Sequence, residues 1–201
     1  MRWRKAVVFV LCLLPLCWAV VSAVTGKLGP DPGKELVLFS GVWGLRFLLL
    51  VLLVSTLKRW TGFGEVLCYR RMLGLYAFFY ASIHLSAVFT YLLGWSAQIF
   101  LEEFSERPYM ALGILAWFIM LPLAVTSSNW MVRLLKKRWR QLHRLVYVAG
   151  VLACAHFIWL VRSDYAEALI YSALLTLLLV ERIAVVVQKR TIIPANNTEA
   201  A

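Results

Sequence analysis

Long apolar runs alternate with short polar intervals along this chain, and most runs outlast the elements of a soluble core. Six stand out, at about 6–24, 41–57, 73–93, 109–126, 143–161 and 166–187. Each approaches the roughly 20 residues that carry an α-helix across a bilayer. The pattern predicts an all-α integral membrane bundle of six transmembrane helices. Arg46 interrupts the second run, where a long side chain can snorkel to a membrane face. Pro122 lies in the fourth, where neighbouring helices tolerate it. The first run has a basic start and a Val21-Ser22-Ala23 that resembles a signal-peptide cleavage site. Its apolar stretch exceeds the usual length of about 7–15 residues, so a retained helix is expected. Residues 1–190 read as one membrane domain and 191–201 as a short disordered cytoplasmic tail.

Composition supports the pattern. Hydrophobic residues make up 62% of the chain and charged ones 15%, against about 25% charged in soluble domains. Neither a GxGxxG nor a P-loop is present, which leaves no nucleotide-binding domain. The four cysteines, Cys12, Cys17, Cys68 and Cys154, lack CxxC or CxxCH spacing. That argues against an iron–sulfur cluster or covalent haem and makes each a small buried hydrophobe.

The net charge of +11 would suit nucleic acid, but its distribution explains it otherwise. With the N-terminus inside, the inner segments hold 16 Lys and Arg and the outer ones hold 5. The inner clusters are Arg2–Lys5, Lys58–Arg71, Arg133–Arg144 and Arg182–Arg190. Most acids, including Asp31, Glu102, Glu103, Glu106 and Asp164, fall outside. This bias predicts both termini in the cytoplasm. The basic stretch 133–144 is expected against anionic lipid, and no nucleic-acid partner is needed.

Candidate chemistry rests on three histidines, His84, His143 and His156. An unpartnered imidazole inside a span is costly, and iron of a haem is a ligand that relieves the cost. The interval from Arg71 to His84 equals that from His143 to His156. At about 1.5 Å per residue, both histidines stand roughly 20 Å above the inner boundary. Matching depth on the third and fifth helices predicts one haem held between them. Ala77, Ala81 and Ala87 around His84, with Ala149, Gly150 and Ala153 around His156, leave a gap for a macrocycle or let helices pack closely.

His143 lies about 140° around a straight helix from His156, and a bend at Gly150 would bring them closer. It either binds a second cofactor or stays hydrated at the inner interface. The opposing position holds Arg70 and Arg71, which pair well with propionates, and Met72, a conceivable axial ligand. Arg46 meets either a propionate or lipid headgroups.

The stretches Arg70-Arg71-Met72-Leu73-Gly74-Leu75, Ala77 to His84, and Trp139 to Tyr147 (WRQLHRLVY) resemble the ferric-reductase-like transmembrane domain family. They are similar in particular to its haem-binding membrane subunits of bacterial methionine sulfoxide reductases. The resemblance covers nearly the whole chain. It implies that His84, His143 and His156 are the haem ligands, and one or two haem b groups. It further implies a bacterial inner-membrane location and an association with FMN. The partners it implies are the quinone pool or a cytosolic flavin reductase as donor and a periplasmic MsrP-like molybdopterin methionine sulfoxide reductase as acceptor. Larger relatives have a second histidine on the third helix, where this chain has Arg70-Arg71, and a cytosolic FAD/NADPH domain. Electrons would thus come from a separate protein or quinone, and this chain would be an electron-transfer subunit rather than the catalytic one.

Two other classes stand beside this reading. One is a stand-alone haem-containing ferric or quinone reductase. The other is a non-redox transporter or assembly factor, against which the spans offer few acids or broken helices for a substrate path.

Overall fold

A computed structural model describes residues 2–161 and 165–195. Among the described residues there is no strand, and eight α-helices follow one another. They are α1 Arg2–Val24, α2 Pro32–Thr61, α3 Leu67–Ala87, α4 Ala97–Glu106, α5 Pro108–Val125, α6 Asn129–Leu142, α7 Leu145–Leu160 and α8 Ala166–Ala195. A π-helical turn, Val88–Leu92, extends α3. Helices α1, α2, α3, α5 and α8 are long and apolar enough to cross a bilayer, and α6 with α7, bent by 48°, makes a sixth candidate if the pair counts as one span. The chain is thus an all-α, multi-pass membrane bundle.

The spans of the sequence reading are present, with changed ends. Helix α2 starts well before residue 41. Pro32 opens it, and Asp31 caps it by accepting from the Lys34 N–H at 3.1 Å. Gly62, in the left-handed region at φ 74°, closes it. Two amphipathic helices, α4 and α6, occupy what hydropathy leaves as loops. Helix α7 runs unbroken through Gly150. The bend falls instead at His143–Arg144, so His143 caps α6 and does not share a helix with His156. Helix α8 continues to Ala195, past the Thr191 where the tail is expected, and residues 196–201 lie outside the described residues.

Helix α2 forms the centre of the bundle. Leu45, Phe47, Leu48, Leu49, Val51 and Leu52 are all buried, which requires neighbours on every side. It packs along α3 and also meets α1, α7 and α8. Helix α5 packs along α7. Two ion pairs tie α2 to α8, Arg46 to Glu167 and Arg59 to Glu181. Helix α1 is peripheral, with Phe9, Val10, Leu14 and Trp18 exposed on a face suited to lipid. It is held by two tyrosines of α3. The Tyr80 hydroxyl donates to the Cys12 carbonyl at 2.9 Å and accepts from the Leu16 N–H at 3.1 Å, beside Pro15. The hydroxyl thereby bridges the two groups that a regular helix would join directly. The Tyr76 hydroxyl donates to the Phe9 carbonyl at 2.9 Å.

Chain alternation gives the bundle two unlike ends. The loops before α2 and between α3 and α5, with the start of α8, form an acidic end. The start of α1, the α2–α3 turn and α6 form a basic end.

Candidate functional site

His84 on α3 and His156 on α7 face one another towards the acidic end of the bundle. Their ring centroids are 6.3 Å apart and their planes cross at 78°. Two imidazoles on opposite sides of one metal, each bonded at about 2 Å, place their centroids about 6 Å apart.

Each ring is aimed by its neighbour helix. His84 Nδ1 lies 2.8 Å from the Val37 carbonyl and His156 Nδ1 lies 2.7 Å from the Tyr109 carbonyl. A carbonyl only accepts, so Nδ1 carries the proton in both rings and Nε2 is left as the basic nitrogen. This carbonyl-to-Nδ1 support is the arrangement that orients metal-binding histidines. Glycine makes the approach possible. A Cβ on Gly41 would lie 2.9 Å from His84 Nδ1, and one on Gly113 would lie 2.9 Å from His156 Nδ1.

The two halves of the site repeat one another. Val37, Gly41, Gly44, Ala81 and His84 precede Tyr109, Gly113, Ala116, Ala153 and His156, respectively, by one and the same sequence interval. The carbonyl-to-histidine separation is 47 residues in both halves. The α2–α3 hairpin and the unit from α5 to α7 thus present the same seat for a ring from opposite sides. The histidines and alanines were visible in the sequence, but the glycine seats and carbonyls were not singled out. The constant interval between the two halves is the signal that finds them.

A cavity of about 180 Å³ lies between the rings. Its walls include Gly41, Gly44, Ala81, Gly113, Ala116 and Ala153, so little side chain intrudes. No cluster of three His, Cys, Asp or Glu side chains occurs among the described residues. A metal held here by two imidazoles must therefore bring its remaining ligands with it, as iron in a macrocycle does. The small walls and paired Nε2 atoms fit a haem.

Among the described residues, two charged side chains line this cavity. Arg107, just before α5, lines it together with Glu103 of α4. The two form an ion pair at 2.5 Å, and Arg107 also donates to the Tyr109 hydroxyl at 3.4 Å. That hydroxyl first, then the Glu103 and Glu106 carboxylates, hold the guanidinium above its usual pKa. The sequence reading did not single out Arg107. It named Arg46, which lies elsewhere. Arg46 donates to Tyr171 and Glu167, stands 4.9 Å from the Trp43 ring and is absent from the cavity wall.

The third histidine belongs to a second cavity, of about 500 Å³, at the basic end. Arg70, Arg71, Arg140, Arg144 and Arg182 line it with His143, and no carboxylate among the described residues does. His143 is already engaged. Trp139 stacks on it at 4.0 Å, and its Nε2 lies 3.1 Å from the Thr126 hydroxyl. That hydroxyl donates to the Pro122 carbonyl at 2.6 Å, so it accepts from the imidazole. Arg71 donates to Asn129 at 2.6 Å. Arg70 shares the cavity wall with Tyr147. Met72 packs against the apolar core and is not part of this wall. The interval that joins the two ring seats, counted back from His143, reaches Arg71, so the repeat of histidines stops at the first cavity.

The family described as ferric reductase like transmembrane component matches residues 40–154. Relatives include a protein of Xanthomonas euvesicatoria pv. vesicatoria, 44% identical over 182 residues that cover 87% of this chain and 83% of that protein. One of Xanthomonas campestris pv. campestris is 45% identical over 163 residues, 81% of this chain and 74% of its own. One of Brucella ovis is 37% identical over 183 residues, 91% and 83% of the two chains. Each of the three is named protein-methionine-sulfoxide reductase heme-binding subunit MsrQ. No solved structure matches the chain.

Proposed function

The chain belongs to the ferric-reductase-like transmembrane family, and from that membership we propose that it is a membrane b-type cytochrome serving a methionine sulfoxide reductase. One observation carries the reading: two imidazoles at 6.3 Å, each aimed through Nδ1 by a carbonyl of another helix. When bound between them, haem iron supplies a one-electron couple in a low-dielectric site. Held by both His84 and His156, the group would serve electron transfer rather than oxygen chemistry. The chain's own part is to fix the two rings, wall the cavity with small residues and keep water out.

The name of the relatives supplies the acceptor class. We take the acceptor to be a periplasmic MsrP-like molybdopterin enzyme and the donor to be the quinone pool or a cytosolic flavin reductase. The excess of Lys and Arg supports a cytoplasmic basic end in the bacterial inner membrane. The His84–His156 site then lies nearer the periplasm, on the acceptor's side. The basic cavity suits an anionic second cofactor, either another haem by its propionates or FMN by its phosphate. For His143 to bind iron there it must exchange its Thr126 partner.

Purified protein should show a Soret band and a reduced-minus-oxidised spectrum of b-type haem. His84→Ala and His156→Ala should each abolish the haem of the first cavity. Normal haem content in both variants would overturn the assignment. Flavin fluorescence after denaturation tests FMN. Reduction of a ferric chelate without a protein acceptor would favour the stand-alone reductase.

A further inference from the structure

We infer that Arg107 is the propionate anchor of the first cavity and that Glu103 tunes it by competing for the guanidinium. This rests on the reading that His84 and His156 hold a haem. A macrocycle in that cavity carries two carboxylates, and burying them among apolar walls without a cation is costly. Arg107 is the one Lys or Arg among the described residues that line the cavity. Among the described residues, the other arginine near this end, Arg46, is paired with Glu167 and lies off the wall.

Two further observations fix the edge. Arg107 stands just before Tyr109, whose carbonyl aims His156, so the same short segment places the ring and the cation. The interval that relates the two ring seats, counted back from Arg107, reaches Glu35. Glu35 is exposed and does not line the cavity, so only one side of the repeated frame offers a charged partner for propionates, the guanidinium of Arg107. The carboxylate edge of the macrocycle belongs on the α4–α5 side. Arg107 is at present the partner of Glu103, at 2.5 Å. An anion arriving there shares or takes that guanidinium, so the strength of the Glu103 pair sets how much positive charge the haem feels.

The test uses full-length holoprotein in detergent, both as such and in a His143→Ala background so that only the first cavity is read. Potentiometric titration and haem transfer to apomyoglobin are the readouts. Arg107→Gln should lower the midpoint potential, because a cation that stabilises the reduced, more negative site is gone, and should speed haem loss. Arg107→Lys should recover most of the potential, which follows charge, but less of the retention, which follows two-point hydrogen bonding. Glu103→Gln should shift the potential the opposite way, upward, which a merely structural role would not do. Wild-type potential and haem retention in both Arg107→Gln and Glu103→Gln would overturn the inference while leaving the haem reading intact. Absence of haem from the wild-type protein would overturn the reading itself.

Discussion

At the scale of single residues, the site depends as much on two glycines as on two histidines. The rings are seated against backbone because Gly41 and Gly113 have no side chain, and a Cβ at either would come within 2.9 Å of an Nδ1. Such contact must push the ring away or break its bond to the carbonyl. Gly113→Ala and Gly41→Ala should therefore each cost about 1–3 kcal/mol through overpacking and lower the haem-to-protein ratio. Gly74→Ala is the control, because its new methyl would meet Val51 no closer than 3.8 Å, an ordinary contact, and alanine favours the helix. Thermal unfolding and haem content measure the contrast. Equal behaviour of Gly113→Ala and Gly74→Ala would show that the seats do not matter. The histidines were legible because an imidazole in an apolar run is conspicuous. The glycines were not, because glycine is common in membrane helices and only the facing ring gives these two their meaning.

Elements were legible to the extent that hydropathy defines them. Apolar length alone finds five of the long helices and the bent α6–α7 pair that makes a sixth candidate span. What hydropathy misses is amphipathic. Helix α4 has Ile99, Leu101 and Phe104 among Glu102, Glu103 and Glu106, and α6 sets Trp130, Leu134 and Trp139 among Arg133, Lys136, Lys137, Arg138 and Arg140. A window average cancels such faces, though a helical period would reveal them. The break at His143 was also hidden, since nothing in WRQLHRLVY announces a 48° bend. Gly150, the residue expected to bend, instead packs its bare backbone towards Leu175 and Leu52. Charges at helix ends were read as snorkelling or loop residues, whereas several join elements. The Arg59–Glu181 pair is largely shielded, with side chains 22% and 16% exposed, and Thr56 completes it. The Arg46–Glu167 pair is 38% and 47% exposed. Charge-assisted hydrogen bonds in shielded sites are worth about 1.5–3 kcal/mol, and exposed pairs about 0–1. Glu181→Gln should accordingly lower the melting temperature of the detergent-solubilised protein clearly more than Glu167→Gln. The reverse order would mean that α2 and α8 are joined chiefly at the acidic end.

For the molecule as a whole, the repeat and the charge asymmetry act along the same axis. Two hairpin-like units repeat their ring seats towards one end, while the guanidiniums gather at the other around a cavity whose described walls hold no carboxylate. An electron route through such a bundle has a direction only if the bundle has a fixed orientation. The proposed orientation rests on positive charge near a membrane face resisting translocation, which would keep the end with Arg133–Arg144 on the side of synthesis. In that orientation the acidic end, with α4 and the His84–His156 pair beneath it, would face outward, towards the proposed periplasmic acceptor. Two exposed positions decide the matter: Glu102 on α4 and Arg138 on α6. In a variant freed of its native cysteines, Glu102→Cys should react with a membrane-impermeant maleimide in intact spheroplasts. Arg138→Cys should react only after the membrane is opened. The opposite pattern would place the histidine pair on the cytoplasmic side and remove the route to a periplasmic acceptor, even with haem content unchanged.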